Sequence, residues 1–266
     1  MKIYIMTDLE GVAGVLNFDD WCQPSGRYYD LAKEFLTEEA NAAVRGFYAA
    51  GATEVAVADG HGHGGLDPAR IDPRVELLRG WPPGSPYPFG LDDSFAFAAW
   101  VGQHAKSGTE YAHLAHTGWF NCLDYTLNGI SVGEFGQMAF CASELGVRTI
   151  LACGDLAFTR EAQALFPGIE TAAVKRGVTP GSGDDLNAED YARRNLGAVH
   201  VPPVRARALI EEAARRALER AQQEDFGRIS LPPPYTRVVK VRGESGQPPT
   251  VTENSHPRSV IALLNG

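Results

Sequence analysis

The chain opens on an alternating run, KIYIMTD, in which Ile3 and Ile5 fall on one side and Asp8 closes the stretch. That period of two predicts a first buried strand. From Tyr29 to Ala50 the period changes: Leu31 and Phe35, then Ala43 and Phe47, recur four apart, and Gly51 supplies a stop, which predicts a helix. TEVAVAD, ending at Asp59, is a second strand pattern, followed by a glycine-rich turn. Strand, helix and strand in this order imply two parallel strands joined by a right-handed crossover. RVELLRG predicts a further strand, and SFAFAAWVGQHA another that runs to His104. Between them WPPGSPYPFG is too rich in proline for either regular element and predicts a surface loop. Gly133 to Leu145 predicts a helix closed by Gly146, RTILACG a buried strand, LAFTREAQALF a helix and IETAAVK a strand. Pro203 to Asp225 predicts a long amphipathic helix with alternating charges on its outer face. Pro232, Pro233 and Pro234 separate it from a last β-rich stretch, YTRVVKVRG and SVIALLN.

This alternation predicts an α/β fold: a mainly parallel sheet covered by helices on both faces, with a smaller C-terminal β-containing segment. Residues 1–200 are expected to form the α/β unit, and residues 201–266 a helix and β segment packed on the same core, within a single domain or beside it. At 266 residues the chain can bury a core large enough to fold without disulfides or a structural metal.

Composition changes this picture little. The apolar share of 44% and charged share of 21% are those of an ordinary globular protein. A net charge of -9 argues against nucleic acid and anionic membrane as partners. Cys22, Cys122, Cys141 and Cys153 have no framework spacing and read as free thiols of a reducing compartment. MKIYIMTDLEG has the pattern of a strand rather than of a signal peptide, and no run approaches the ~18 apolar residues of a membrane helix. The expected location is cytoplasmic.

Candidate chemistry changes it more. In open α/β sheets ligands bind beyond the carboxyl ends of the strands. Asp8 and Glu10 follow the first strand, His61 follows TEVAVAD and His104 follows FAFAAWV, so three separate segments deliver ligand-type side chains to one sheet edge. Glu134 stands at a helix start after Gly133. Three carboxylates and two imidazoles exceed the needs of one metal but suit two that share a bridging carboxylate, which points to a binuclear metal hydrolase. Each residue also has a plainer explanation. Asp8 and Glu10 could form an acidic turn, His104 could be a satisfied strand-end histidine, and Glu134 could answer the helix dipole. Asp59 could orient a metal-bound imidazole or cap its turn. His63 reads as a solvated loop histidine ahead of a second ligand, Cys153 as a buried apolar-strand cysteine ahead of a nucleophilic thiol, and His200 and His256 as surface residues beside prolines. In HLAHT, His116 precedes an apparent loop and is the candidate for proton transfer, although the short segment could turn either His113 or His116 inward.

Taken in order, TDLEGVAGV, DGHG, GQHA, LAHT and NGISVGEFG resemble the zinc peptidases of the D-aminopeptidase family, over roughly residues 1–200. The resemblance implies that Asp8 bridges two divalent ions, most often zinc. Glu10 and His61 would complete one metal, and His104 and Glu134 the other, with His116 beside them as the catalytic residue. It further implies an aminopeptidase that hydrolyses short peptides with an N-terminal D-residue through a metal-bound hydroxide, assembled as a ring-like homo-oligomer. Exposed apolar residues of the proline-rich loop would suit such an interface. The extra histidine of DGHGHGG and Gln103 in GQHA depart from the expected pattern. The competing readings are another metal-dependent amidohydrolase or phosphoesterase with the same ligands, or a non-catalytic metal- or peptide-binding protein. A phosphoesterase would want further Arg or Lys near the motifs, where only Lys106 stands.

Overall fold

The computed structural model describes residues 1–244 and 247–266. In chain order the elements are β1 (Lys2–Thr7), α1 (Phe18–Trp21), α2 (Tyr29–Ala49), β2 (Glu54–Asp59), β3 (Glu76–Leu78), β4 (Phe97–Gln103), β5 (Cys122–Leu127), β6 (Ile130–Ser131), α3 (Glu134–Glu144), β7 (Arg148–Asp155), α4 (Leu156–Leu165), β8 (Glu170–Gly177), α5 (Ala188–Arg194), β9 (Ala198–His200), α6 (Pro203–Ala221), β10 (Tyr235–Val241), β11 (Thr250–His256) and α7 (Val260–Leu264). Seven strands form the main sheet in the order β3-β2-β1-β4-β7-β8-β9. All pairs are parallel except β8 with β9 at the edge.

The alternation along β1 separates two cores. Ile3 and Ile5 join Val55, Val57 and the apolar faces of α2 and α6, including Leu36, Phe47 and Ile210. Tyr4 and Met6 join Ala58 and Trp100 against α3 and α4, including Phe135, Met138 and Phe158. The sheet is therefore covered on both faces, as the sequence pattern predicts. α6 ends at Ala221 rather than Asp225.

Two elements differ from expectation. SVIALLN is not β: Val260–Leu264 is a helix, with the Ser259 side chain accepting from Ala262 N. Glu144 Oε2 accepts from the Ile261 amide and takes the Val260 amide at 2.5 Å. A short apolar run fits strand and helix equally, and here the capping groups decide. The C-terminal β residues also draw in mid-chain strands that the sequence pattern does not announce. β10 pairs antiparallel with β11 on one side and with mid-chain β5 on the other, and β5 pairs with β6, giving a four-stranded sheet in the order β11-β10-β5-β6. Residues 122–131 carry too little alternation to announce half of that sheet.

α2 and α6 pack so closely that Gly46 is required at their contact. A Cβ there would stand 2.2 Å from the Glu211 carbonyl oxygen and 2.9 Å from the Ala214 Cβ. Alanine would gain about 1 kcal/mol of helix propensity, but prising two packed helices apart costs up to about 3 kcal/mol. The clash wins: Gly46→Ala should lower the melting temperature by roughly 4–8 °C in a calorimetric scan, whereas a rise would mean that the helices re-space freely.

Candidate metal centre

The loop after β1 carries Asp8 and Glu10 and turns sharply against the end of β4. Gly11 N donates to Gly102 O at 2.7 Å, and a Cβ on Gly11 would lie 2.1 Å from Gln103 O. Gly102 adopts φ of 78°, and a Cβ there would lie 2.1 Å from Asp8 O. Glycine at both positions permits this approach, which side chains on either strand end would block. Its effect is to set the two acids against His104, the next residue after β4.

Asp8 lies between two histidines. Its Oδ1 is 3.2 Å from His61 Nδ1, and its Oδ2 is 3.2 Å from His104 Nε2. Gln103 Nε2 donates to the same Oδ2 at 2.9 Å, which gives the unexpected glutamine of GQHA a task. Glu10 Oε2 is 3.3 Å from His61 Nδ1. On the other side Glu134, the first residue of α3, places Oε2 3.5 Å from His104 Nε2 and Oε1 3.9 Å from His116 Nε2. Gly118 N donates to Glu134 Oε1 at 2.7 Å. The His104 and His116 rings stack with centroids 3.9 Å apart. All five expected ligands and His116 thus converge at the carboxyl edge of the sheet.

Backbone carbonyls fix which nitrogen of each ring faces the cluster. A carbonyl only accepts, so the ring nitrogen against it carries the hydrogen. His61 Nε2 donates to Cys22 O at 2.7 Å, His104 Nδ1 to Ala105 O at 2.9 Å, and His116 Nδ1 to Leu114 O at 2.8 Å. In a neutral ring the inward nitrogen, His61 Nδ1, His104 Nε2 or His116 Nε2, then offers a lone pair. A second bond from the outer ring nitrogen to a carbonyl is the usual support of a metal-ligating histidine. Glu10 Oε2 and His104 Nε2 are buried without a hydrogen-bond partner among the described residues.

The charges agree with this geometry. Burial opposes it, yet the adjacent His104 and His61 rings hold the Asp8 carboxyl well below the usual carboxylate range. Against the same opposition from burial, Glu10 and Asp8 raise His61, and Glu134 and Asp8 raise His104. Glu134 is likewise lowered, against burial, by His104. The carboxylates therefore demand positive charge, and protons or metal cations are the two ways of meeting it. Burial, with help from His104, instead lowers His116. Distances divide the ligand atoms into two overlapping groups, Asp8, Glu10 and His104, and His104, His116 and Glu134, each within 4.8 Å. Lone pairs, carboxylates and unpartnered buried atoms fit divalent cations.

Other sequence candidates fall outside the cluster. Asp59 caps its turn, accepting from Gly65 N at 2.6 Å and from Arg79 Nε at 2.9 Å. Of its two readings the turn cap holds, and the His61 ring is oriented instead by Cys22 O, a backbone group that no side-chain motif could announce. His113 turns away: its Nε2 meets Leu16 O at 3.0 Å and its amide donates to Asp155 Oδ2 at 3.3 Å. His200 is not a free surface residue, since its Nδ1 accepts from Gly14 N at 3.0 Å. His63 is exposed at the mouth of the cleft. Cys153 is fully buried, and Lys106 bonds Ser131.

Glu39 of α2 supports the loop that carries Asp8 and Glu10 from below. It is 1% exposed, its Oε1 accepts from Ala13 N at 3.0 Å, and burial pushes its carboxyl from 4.5 up to about 7. A raised acid stabilises the fold fully below its unfolded pKa and loses that contribution as pH rises through the folded one. Wild type should therefore lose up to about 3 kcal/mol between pH ~4.5 and ~7 from this residue. Glu39→Gln does not titrate, so its stability relative to wild type, measured by urea unfolding, should rise by that amount from pH 4.5 to pH 8. A pH-independent difference would show that Glu39 is ionised throughout.

Comparison with known proteins identifies the family. The family model described as D-aminopeptidase matches residues 1–246. A D-aminopeptidase of Bacillus subtilis (strain 168) is 32% identical over 184 residues, which are 67% of this chain and 65% of that protein, so the match spans about two thirds of the relative's length. The solved structure described as "Zn-dependent D-aminopeptidase DppA from Bacillus subtilis, a self-compartmentalizing protease" superposes with a TM-score of 0.83 at 23% identity. That superposition covers 100% of this chain and 95% of that one, and it establishes a shared fold. With its ordered motifs gathered at one sheet edge and the family match extending over 1–246, the chain belongs to the D-aminopeptidase family.

Proposed function

We propose that the chain is a metallo-aminopeptidase that removes a D-residue from the amino end of short peptides, with two divalent ions, zinc foremost, at the cluster. The observation that carries this reading is the convergence of three inward imidazole nitrogens, each fixed by a backbone carbonyl, on three carboxylates. Asp8, with one oxygen toward His61 and the other toward His104, is suited to bridge. Glu10 and His61 would hold one ion, and His104 and Glu134 the other. Two divalent ions held there would supply an activated water at neutral pH and polarise a carbonyl. Three carboxylates leave such a pair a modest net charge, which limits the desolvation cost in a buried cleft.

His116 supplies proton transfer. Its Nδ1–H is committed to Leu114 O, so its Nε2 is free to accept a proton from the nucleophile and return it to the leaving amine. Stacking on His104 and contact with Phe120 hold the ring in place. Gln103 holds Asp8, and Gly118 N holds Glu134. The cleft above the cluster is lined by no Lys or Arg among the described residues. This favours a peptide over a phosphoester, whose charge would call for basic partners. Segments 1–200 and 201–266 are read as one folding unit because β10 pairs with β5. Four unpaired, buried cysteines support a cytoplasmic setting. No helix among the described residues is long and apolar enough to cross a membrane. A homo-oligomer follows the description of the structural neighbour as self-compartmentalizing.

Purified protein should hold about two transition-metal ions per chain, and Asp8→Ala should lose more metal than Glu10→Ala because a bridge serves both ions. One tightly held ion, indifferent to Asp8→Ala in elemental analysis, would sink the binuclear reading. His116→Ala should keep its fold and metal while losing about 10²–10⁴-fold in turnover. Near-wild-type kcat would hand proton transfer to another group, and parallel loss of metal would make His116 a ligand.

A further inference from the structure

The cleft above the cluster has a volume of about 400 Å³, within the range of small-ligand sites. Its chemistry is lopsided. The floor holds the carboxylates and imidazoles, whereas the walls are aromatic and thioether side chains. The proline-rich loop, expected from sequence to be a surface loop presenting apolar residues outward, folds back to make one wall from Trp81, Tyr87 and Phe89. Trp100, Met6 and Met138 continue that wall toward the sheet.

The polar handles of this wall are spent on the protein body. Trp81 Nε1 donates to Asp59 O at 3.3 Å, and Tyr87 Oη donates to Gln137 Oε1 at 2.8 Å. Tyr87 is clamped through its backbone as well, since its N–H donates to Asn265 Oδ1 at 3.1 Å and its carbonyl accepts from Asn265 Nδ2 at 2.9 Å. Tyr4 Oη donates to Phe89 O at 2.8 Å. The rings brace one another edge to face, with centroids 5.2 Å apart for Trp81–Phe89 and 5.0 Å for Tyr87–Phe89. What remains toward the cleft is ring face and edge, held rigid and half-buried. Such a wall gains by covering itself with apolar substrate surface and offers nothing to a charged side chain.

We propose that this wall is the pocket for the side chain of the substrate's first residue, and that it selects large apolar, above all aromatic, residues over alanine. This rests on the aminopeptidase reading, which places the first residue next to the cluster. A methyl group would leave most of the wall wet or empty. A benzyl group would cover it, and because the loop is pinned, little ordering opposes that gain.

The test compares D-phenylalanyl-glycyl-glycine with D-alanyl-glycyl-glycine on zinc-loaded protein. The expected kcat/KM favours the phenylalanyl peptide by roughly 10–100-fold. In Trp81→Ala that ratio should fall by about tenfold; a ratio taken on one sample is independent of how much of the variant is folded. A second readout needs no turnover: D-phenylalaninamide should perturb the tryptophan fluorescence of metal-free protein and bind at least about tenfold more tightly than D-alaninamide. Equal or better cleavage of the alanyl peptide overturns the pocket and leaves the aminopeptidase reading standing, as does equal binding of the two amides. No cleavage of either peptide or of their L-counterparts overturns the aminopeptidase reading itself, and the amide-binding comparison then still decides the pocket. An unchanged ratio in Trp81→Ala would remove the proline-rich loop from the pocket.

Discussion

The constraint on which the rest of the site depends is the placement of the Asp8 carboxylate between His61 and His104. Three carboxylates in a mostly buried space repel one another, and their charges persist only where cations answer them. Asp8 is the acid that touches both sides, so its position decides whether the cluster is one site or two unrelated pairs. That position is set by backbone. β1 and β4 are parallel neighbours, and Gly11 and Gly102 let the loop after β1 press against the end of β4. Gln103 then holds one Asp8 oxygen, leaving the other toward His61. A side chain at Gly102 or Gly11 would separate the two strand ends and with them the two halves of the cluster.

Below the cluster lies a second tier of buried charge. Lys175 of β8 is 3% exposed, and its Nζ donates to the Glu10 carbonyl and to Val15 O at 3.4 Å. Burial lowers this lysine to about 8, while Asp155 and Glu39 pull it back upward. Asp155 itself caps α4 through Ala157 N and receives the His113 amide. The loop bearing Asp8 and Glu10 is thus held from beneath by an ammonium, and its continuation by Glu39 at Ala13 and His200 at Gly14. None of these groups faces the cleft. They act through the backbone, as supports of ligands commonly do.

Much of this could be read from the residues because it depends on local period and on strand ends. The parallel order follows from strand–helix–strand alternation, and Asp8, His61 and His104 follow from the rule that sites gather beyond carboxyl ends. What escaped the sequence depends on pairing at a distance. β5 and β6 take their meaning only from β10, more than a hundred residues later. SVIALLN becomes a helix because Ser259 and Glu144 cap it, and Glu144 belongs to another element. Cys22 supports His61 through its carbonyl, which any residue type would provide. The proline-rich loop was legible as irregular, but its direction was not. Anchors at Tyr4, Gln137 and Asn265, scattered along the chain, turn its aromatic residues inward.

The charged floor and the aromatic walls are two parts of one electrostatic arrangement. Apolar walls lower the dielectric above the cluster, and there each attraction between a carboxylate and an imidazole is stronger than in bulk solvent. The carboxylates in turn make the walls tolerable: a cleft this apolar and half-open would otherwise invite nonspecific association. A fixed array of charge at its base makes occupancy favourable chiefly for molecules that carry a polar end of the right kind. The substrate end proposed above, an amino terminus on an apolar residue, would have that form, polar at the backbone and apolar at the side chain, and would meet both surfaces of the cleft at once.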